Sequence, residues 1–267
     1  MATTESIKGS SQVQGELWGA RARDWAEIQE PVHAATYPPV FDAAGVREGT
    51  TLLDVGCGSG VAADIAAKRG AMVTGIDASL PSVEIARERV PGADFQVGEL
   101  EALPYEDGSF DVVTGFNAFQ YAADPVHAVS EAKRVTRPGG TVVILAWGRP
   151  EDCEAAEYLA ALGSFLPAPP PGAPGPFALS EPGSLEKLAE GAGLKPASAA
   201  EIRTRWEYPD LETALRGLLS AGPAVKAIAA ADEERVAAAA TAAIARFRTA
   251  DGGYTIANTW RYLVATA

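Results

Sequence analysis

The amino-acid sequence predicts an α/β fold in which a largely parallel sheet is covered by helices on both faces. Two observations predict it. Short apolar runs alternate regularly with amphipathic stretches from residue 50 onward, the pattern of strand–helix–strand units. Those runs also end repeatedly at glycine or an acidic residue, as at Leu52-Leu53-Asp54-Val55-Gly56 and Gly75-Ile76-Asp77. A strand apolar along its whole length is one buried on both faces.

The first strand runs into Gly56-Cys57-Gly58-Ser59-Gly60, and a helix begins at Val61. Glycine permits positive φ and lets a ligand approach the backbone. The free N–H groups of the helix N-terminus favour an anionic or carboxylate-bearing ligand. A dinucleotide fingerprint, Gly-x-Gly-x-x-Gly, would place its third glycine at Val61, one position later than Gly60. Val61, Ile65 and Ala66 share a face of the helix, which Lys68, Arg69 and Gly70 terminate. A second strand, 71–76, ends at Asp77, whose carboxylate could accept both hydroxyls of a ribose or cap the next helix. Ser79 is a helix cap, with Pro81 in the first turn.

A third strand spans 93–98, and Asp107-Gly108 turns the chain into a fourth, 110–115. Asp124-Pro125 opens a helix reaching about Val135. Pro138-Gly139-Gly140 breaks the chain before a fifth strand, 141–147. Beyond Trp147 the chain changes character. Helices are expected at 151–166 and 185–192, separated by a stiff, irregular connector rich in proline and glycine at 167–182. A sixth strand lies within 196–208, helices at 211–219 and 225–248, and a last strand at 254–265. Upstream, 15–37 reads as helical. Trp18, Ala22 and Trp25 share one face of it, which either covers the ligand cleft or only packs on the sheet.

Four motifs, in order and at suitable spacing, carry a resemblance. They are Leu-Leu-Asp-Val-Gly-Cys-Gly-Ser-Gly, Gly-Ile-Asp-Ala-Ser, Leu-Pro-Tyr-Glu-Asp-Gly-Ser-Phe-Asp-Val-Val and Arg-Val-Thr-Arg-Pro-Gly-Gly. From about residue 50 to 147 the chain resembles class I S-adenosylmethionine-dependent methyltransferases, and more narrowly the ubiquinone/menaquinone-biosynthesis type (methyltransferase type 11 domain). The flanks match that family only in outline. The resemblance implies a Rossmann-like, doubly wound seven-stranded sheet of order 3-2-1-4-5-7-6, with the last strand antiparallel. It implies three parts: an N-terminal helical cap at 1–48, a cofactor-binding core at 49–148, and a C-terminal completion of the sheet at 149–267. The last part would carry a helical lid inserted at about 209–250.

The same resemblance implies S-adenosylmethionine as cofactor. Gly56, Cys57 and Gly58 would lie against its methionine part, with Asp54 near the amino group. Asp77 would hold the ribose hydroxyls and Ala78 would lie beside the adenine. Glu99 would accept from the adenine amino group, and the Leu100 backbone N–H would address the ring. The long Glu99 side chain and bulky Leu100 depart from the family's usual run. Phe116 and Asn117 would border the methyl group, although Phe116 reads equally well as core. For the acceptor, Trp18, Trp25, Tyr37, Tyr121 and Trp147 are candidate contacts. His33 is the candidate general base, with a structural role as its alternative. Many relatives carry histidine after the fourth strand, where this chain has Gln120-Tyr121.

Composition narrows the function classes. A formal charge of −13 disfavours a nucleic-acid backbone as partner. Met1 to Gln14 lacks the apolar run of a signal peptide, and no apolar stretch is long enough to span a membrane, so a cytoplasmic protein is expected. Two cysteines, Cys57 and Cys153, make neither a disulfide framework nor a metal site. A small-molecule methyltransferase, monomeric or homodimeric, with a hydrophobic or aromatic acceptor is the expectation. The alternatives are a cyclase or binding module on the same fold, an aminopropyl transferase, and an NAD-dependent oxidoreductase, which the third-glycine position opposes.

Overall fold

In the computed structural model, which describes residues 9–168, 173 and 175–267, seven strands form one sheet of order β3-β2-β1-β4-β5-β7-β6. The strands are β1 (Thr51–Val55), β2 (Met72–Asp77), β3 (Asp94–Val97), β4 (Phe110–Phe116), β5 (Thr136–Trp147), β6 (Lys195–Tyr208) and β7 (Tyr254–Thr266). The first five pair in parallel, and β7 runs antiparallel to both β5 and β6. The expected order and direction of the strands are those observed.

Alternation along each strand sends side chains to opposite faces, and both faces are covered. Leu52, Val112 and Val143 pack on one side with Phe41 and Ala63. Leu53, Val113 and Val142 pack on the other with Val129 and Leu185. The helices responsible are α3 (Tyr37–Ala43) and α4 (Val61–Lys68) on the first face, and α6 (Pro125–Val135) and α8 (Ser184–Gly191) on the second. Between them in the chain lie α5 (Leu80–Arg89) and α7 (Ala155–Gly163). Helix entry follows capping chemistry: Ser79 Oγ accepts from the Ser82 N–H, and Asp124 Oδ1 from the His127 N–H.

Several elements differ from expectation. The N-terminal helix is broken into α1 (Ser11–Gly19), α2 (Ala22–Asp24), a π turn at Trp25–Gln29 and a 3-10 turn at Pro31–Thr36. Pro31, which cannot donate a backbone hydrogen bond, follows the break. Strand β5 begins at Thr136, because Pro138-Gly139-Gly140 is absorbed as an irregularity in the pairing with β4. The helical stretch expected at 225–248 is α10 (Gly222–Ala230) followed by α11 (Glu233–Ile244). Asp232 caps α11, accepting from the Arg235 N–H. With α9 (Leu211–Leu218), these helices lie between β6 and β7 in sequence. Part of the connector expected at 167–182 lies outside the described residues, as do the first eight residues of the polar N-terminus. Among the described residues no helix is long and apolar enough to cross a membrane.

Candidate functional site

The sheet reverses direction of build between β1 and β4, so a crevice opens at the carboxyl ends of these strands. Gly56, Gly58 and Gly60 leave β1 with φ of 72°, 54° and 83°. A Cβ on Gly56 would lie 2.6 Å from that of Ala118, and one on Gly58 would lie 3.1 Å from a Glu30 carboxylate oxygen. This loop is therefore glycine-rich for two reasons, backbone conformation and crowding.

Three carboxylates line the cavity above the loop: Glu30, Asp54 and Asp77. Asp77 accepts from the Gly58 N–H at 2.9 Å and the Ser79 N–H at 2.8 Å, which ties the tip of β2 to the glycine loop. It thus braces the turn that leads to Ser79, the N-cap of α5, while also facing the cavity. Asp54 is 2% exposed, and the Thr114 hydroxyl donates to it at 2.8 Å. Burial pushes the Asp54 carboxyl up to about 7, against the opposing effect of Thr114. Burial raises Glu30 and Asp77 as well.

Most of the residues expected near a cofactor meet here. Gly56, Cys57, Gly58, Ala78, Leu100, Phe116 and Asn117 all border the same cavity as Asp54 and Asp77. Phe116 borders the cavity, and its ring also packs edge-on against Tyr37 and Phe41. Glu99 is the exception. It does not border the cavity; its carboxylate accepts from the Ser11 N–H at 2.7 Å and the Glu101 N–H at 3.2 Å, anchoring the start of α1. A side chain one methylene longer than aspartate reaches the N-terminal helix instead. Asn117 has a φ of 56°, the one positive value outside glycine among the described residues. Its side-chain oxygen accepts from Gln120 Nε2, and its N–H donates to the Leu145 carbonyl. Sparsely populated backbone of this kind clusters at functional sites.

Trp18, Trp25, His33, Asn117 and Tyr121 border this cavity and also a second, inner one. Trp147, Trp206 and Tyr158 line only the inner cavity. Tyr37 borders only the outer one. Cross-strand register brings the tryptophans together: Trp147 on β5 faces Trp260 on β7, with ring centroids 4.3 Å apart. Trp206 on β6 joins them, 5.5 Å from Trp147. His33 sits among Trp25, Trp206 and Trp260 at 5.2–5.8 Å, and burial drops its imidazolium to about pH 4. The imidazole is therefore neutral at pH 7. Among the described residues no side chain lining the inner cavity is Asp, Glu, Lys or Arg. The Trp206 indole N–H is buried without an acceptor among the described residues.

Sequence reasoning missed Glu30, Trp206, Trp260 and Gln29. An acid directly before a proline, inside a segment otherwise rich in tryptophan, was the available signal for Glu30. Nothing local marks the others, because their places depend on strand register and on the fold of the cap.

Residues 53–144 match the family model described as a methyltransferase domain. A ubiquinone biosynthesis O-methyltransferase of Xanthomonas campestris pv. campestris is 32% identical over 167 residues, which is 57% of this chain and 70% of that protein. A demethylmenaquinone methyltransferase of Renibacterium salmoninarum is 37% identical over 111 residues, 42% of this chain and 47% of that one. The chain spans about half or less of the length of the first curated relatives it matches. Among solved structures, the cyclase SpnF superposes with a TM-score of 0.63 at 19% identity, covering 96% of each chain. At that identity the likeness concerns the fold alone.

Proposed function

This chain belongs to the S-adenosylmethionine-dependent methyltransferases, and from that premise we propose that it methylates a small, uncharged, hydrophobic or aromatic metabolite. One observation carries the reading. A carboxylate-lined cavity on the glycine loop shares Trp18, Trp25 and Asn117 with an aromatic chamber that has no charged side chain among the described residues. The donor set fits the cofactor: three carboxylates, Glu30 and Asp54 buried and Asp77 half-buried, all raised by desolvation, favour a ligand that brings positive charge.

When bound, S-adenosylmethionine supplies a methyl group already activated by its sulfonium. The protein's task is then to orient two partners and exclude water. In our reading Gly56, Cys57, Gly58 and Asp54 hold the methionine end. Asp77, Ala78 and Leu100 serve the nucleoside. Phe116 and Asn117 border the methyl and set an in-line approach from the inner chamber. The cap at 1–48 and the insertion at 209–250 close over the core at 49–148, within a C-terminal part that starts at 149. Trp18, Trp25, Tyr121 and Trp147 supply flat apolar walls for the acceptor, and Tyr37 shapes the outer cavity. The unpaired Trp206 N–H adds a demand for an oxygen on the acceptor, since a buried donor is almost always satisfied.

A base is needed only where the acceptor atom arrives protonated and weakly nucleophilic. An imidazole titrating near pH 4 suits hydrogen bonding to the acceptor better than taking its proton. A net charge of −13 supports a small molecule rather than nucleic acid. The quinone-directed names of the relatives support an oxygenated ring as acceptor class. The test is incubation with S-adenosylmethionine and a panel of hydroquinones, phenols, carboxylates and amines, followed by mass spectrometry. Gain of one methyl on a neutral hydroquinone or phenol, with stoichiometric S-adenosylhomocysteine, is expected. Methylation confined to charged amines or carboxylates overturns the reading.

A further inference from the structure

A helix N-terminus after a glycine loop ordinarily offers its free N–H groups to an anion. Here that place is filled from within the chain. Glu30, carried by the N-terminal segment and 5% exposed, accepts from the Ser59 N–H at 3.1 Å and from the Val61 N–H at 3.3 Å. The Ser59 hydroxyl donates to it as well. Arg89 on α5 forms a longer ion pair with it at 3.7 Å, while donating hydrogen bonds to the Ser59 carbonyl at 2.6 Å, the Ser59 hydroxyl at 2.8 Å and the Ala26 carbonyl at 2.9 Å.

Glu30 nevertheless still borders the cofactor cavity, beside Gly58. A carboxylate offers about four acceptor positions, and three are taken by Ser59 and Val61. A second carboxylate brought to the same spot would meet like charge with little solvent between. A cation would not.

We infer that Glu30 is a cofactor-positioning residue: its carboxylate converts the N-terminus of α4 from an anion site into a seat for the cofactor's ammonium group. The assignment rests on the family's cofactor and goes beyond it, since it gives a side chain of the N-terminal segment a place at the ammonium end. It also makes the N-terminal cap part of the cofactor site through one side chain that bridges 29 residues of sequence to Ser59.

The test is binding calorimetry of the intact chain and of Glu30→Gln with three probes: S-adenosylmethionine, S-adenosylhomocysteine and 5′-methylthioadenosine. The last lacks the amino-acid end. Glutamine removes the charge and keeps an acceptor oxygen for Ser59, although its amide nitrogen cannot accept from the Val61 N–H. Affinity for the first two is expected to fall about tenfold to a hundredfold, the scale of one charge-assisted hydrogen bond. Affinity for 5′-methylthioadenosine should be unchanged. An equal fall for all three overturns the assignment in favour of a purely structural cap. Tighter binding of the first two overturns it in favour of an anion seat. If the unaltered chain binds none of the three, the cofactor reading itself fails, and this assignment with it. Should Glu30→Gln not fold, the unaltered chain is compared on S-adenosylhomocysteine and its desamino analogue. Weaker binding of the analogue supports the ammonium seat, and equal affinity overturns it.

Discussion

The two cavities differ in how they are made. The outer one carries the carboxylates, and its floor is built from short range: Asp54, Gly56, Cys57 and Gly58 are almost contiguous, and Asp77 closes on the same loop through the Gly58 N–H. The inner one is aromatic and built from long range. Trp25, Trp147 and Trp206 come from the cap, from β5 and from β6, and they meet only because the sheet and the cap are folded. The contrast assigns different sensitivities. The outer cavity should respond to charge and backbone geometry, the inner to shape and to single hydrogen bonds.

Gly58→Val should separate them most sharply. A β-branched residue at φ 54° carries about 1–3 kcal/mol of backbone strain, and its Cβ would press on the Glu30 carboxylate. Affinity for S-adenosylhomocysteine is expected to fall by about a hundredfold or more. Far-ultraviolet circular dichroism should still show the fold. A folded variant with unchanged affinity would remove the loop from the cofactor site.

The pH dependence of cofactor binding should sharpen the electrostatic side. Asp54 holds its proton to about pH 7 in the folded chain and has lost it near pH 4 when unfolded. A protonated carboxyl cannot balance a cation. Affinity for S-adenosylmethionine is therefore expected to rise with pH, by at most about tenfold per unit, and to level off near 7. Asp54→Asn should flatten that rise. The free chain should behave oppositely and lose stability as pH rises over the same window, because the unfolded state has already released the proton. Binding titrations and thermal melts between pH 5 and 7 check both signs. If the acceptor sits in the inner cavity as proposed, its affinity should not follow this curve, because no charged side chain among the described residues lines that cavity.

The smallest effect is expected from Trp206→Phe. It keeps the aromatic wall and removes one indole N–H that has no partner within the described chain. The acceptor KM should rise about two- to tenfold, the range of one neutral hydrogen bond, while S-adenosylhomocysteine binding stays within twofold. A change in cofactor affinity instead would place Trp206 on the wrong side of the boundary.

How far the site could be read in advance follows the same division. The glycine loop, Asp54 and Asp77 were legible because the chemistry of a strand–turn–helix unit is written in consecutive residues. Asn117 was legible from its place just past β4, although its left-handed backbone was not. Glu99 misled: its position matched the family's run, but its reach to Ser11 depends on where α1 packs. Trp18 and Trp25 were visible as one apolar face, yet the break at Trp25–Gln29 that lets Glu30 turn inward was not.

By itself the sequence determined the order of strands and helices, and the glycine loop that leaves β1 with Asp54 before it and Asp77 beside it. These follow from local rules: apolar periodicity, caps, and glycine where φ must be positive. Only the tertiary structure decided that β7 sets Trp260 against Trp147, that Trp206 lines the inner cavity, and that Glu30 occupies the end of α4. Each of those is a contact between residues far apart in the chain. Cross-strand register and helix packing choose such partners, and neither is encoded in any short stretch of residues.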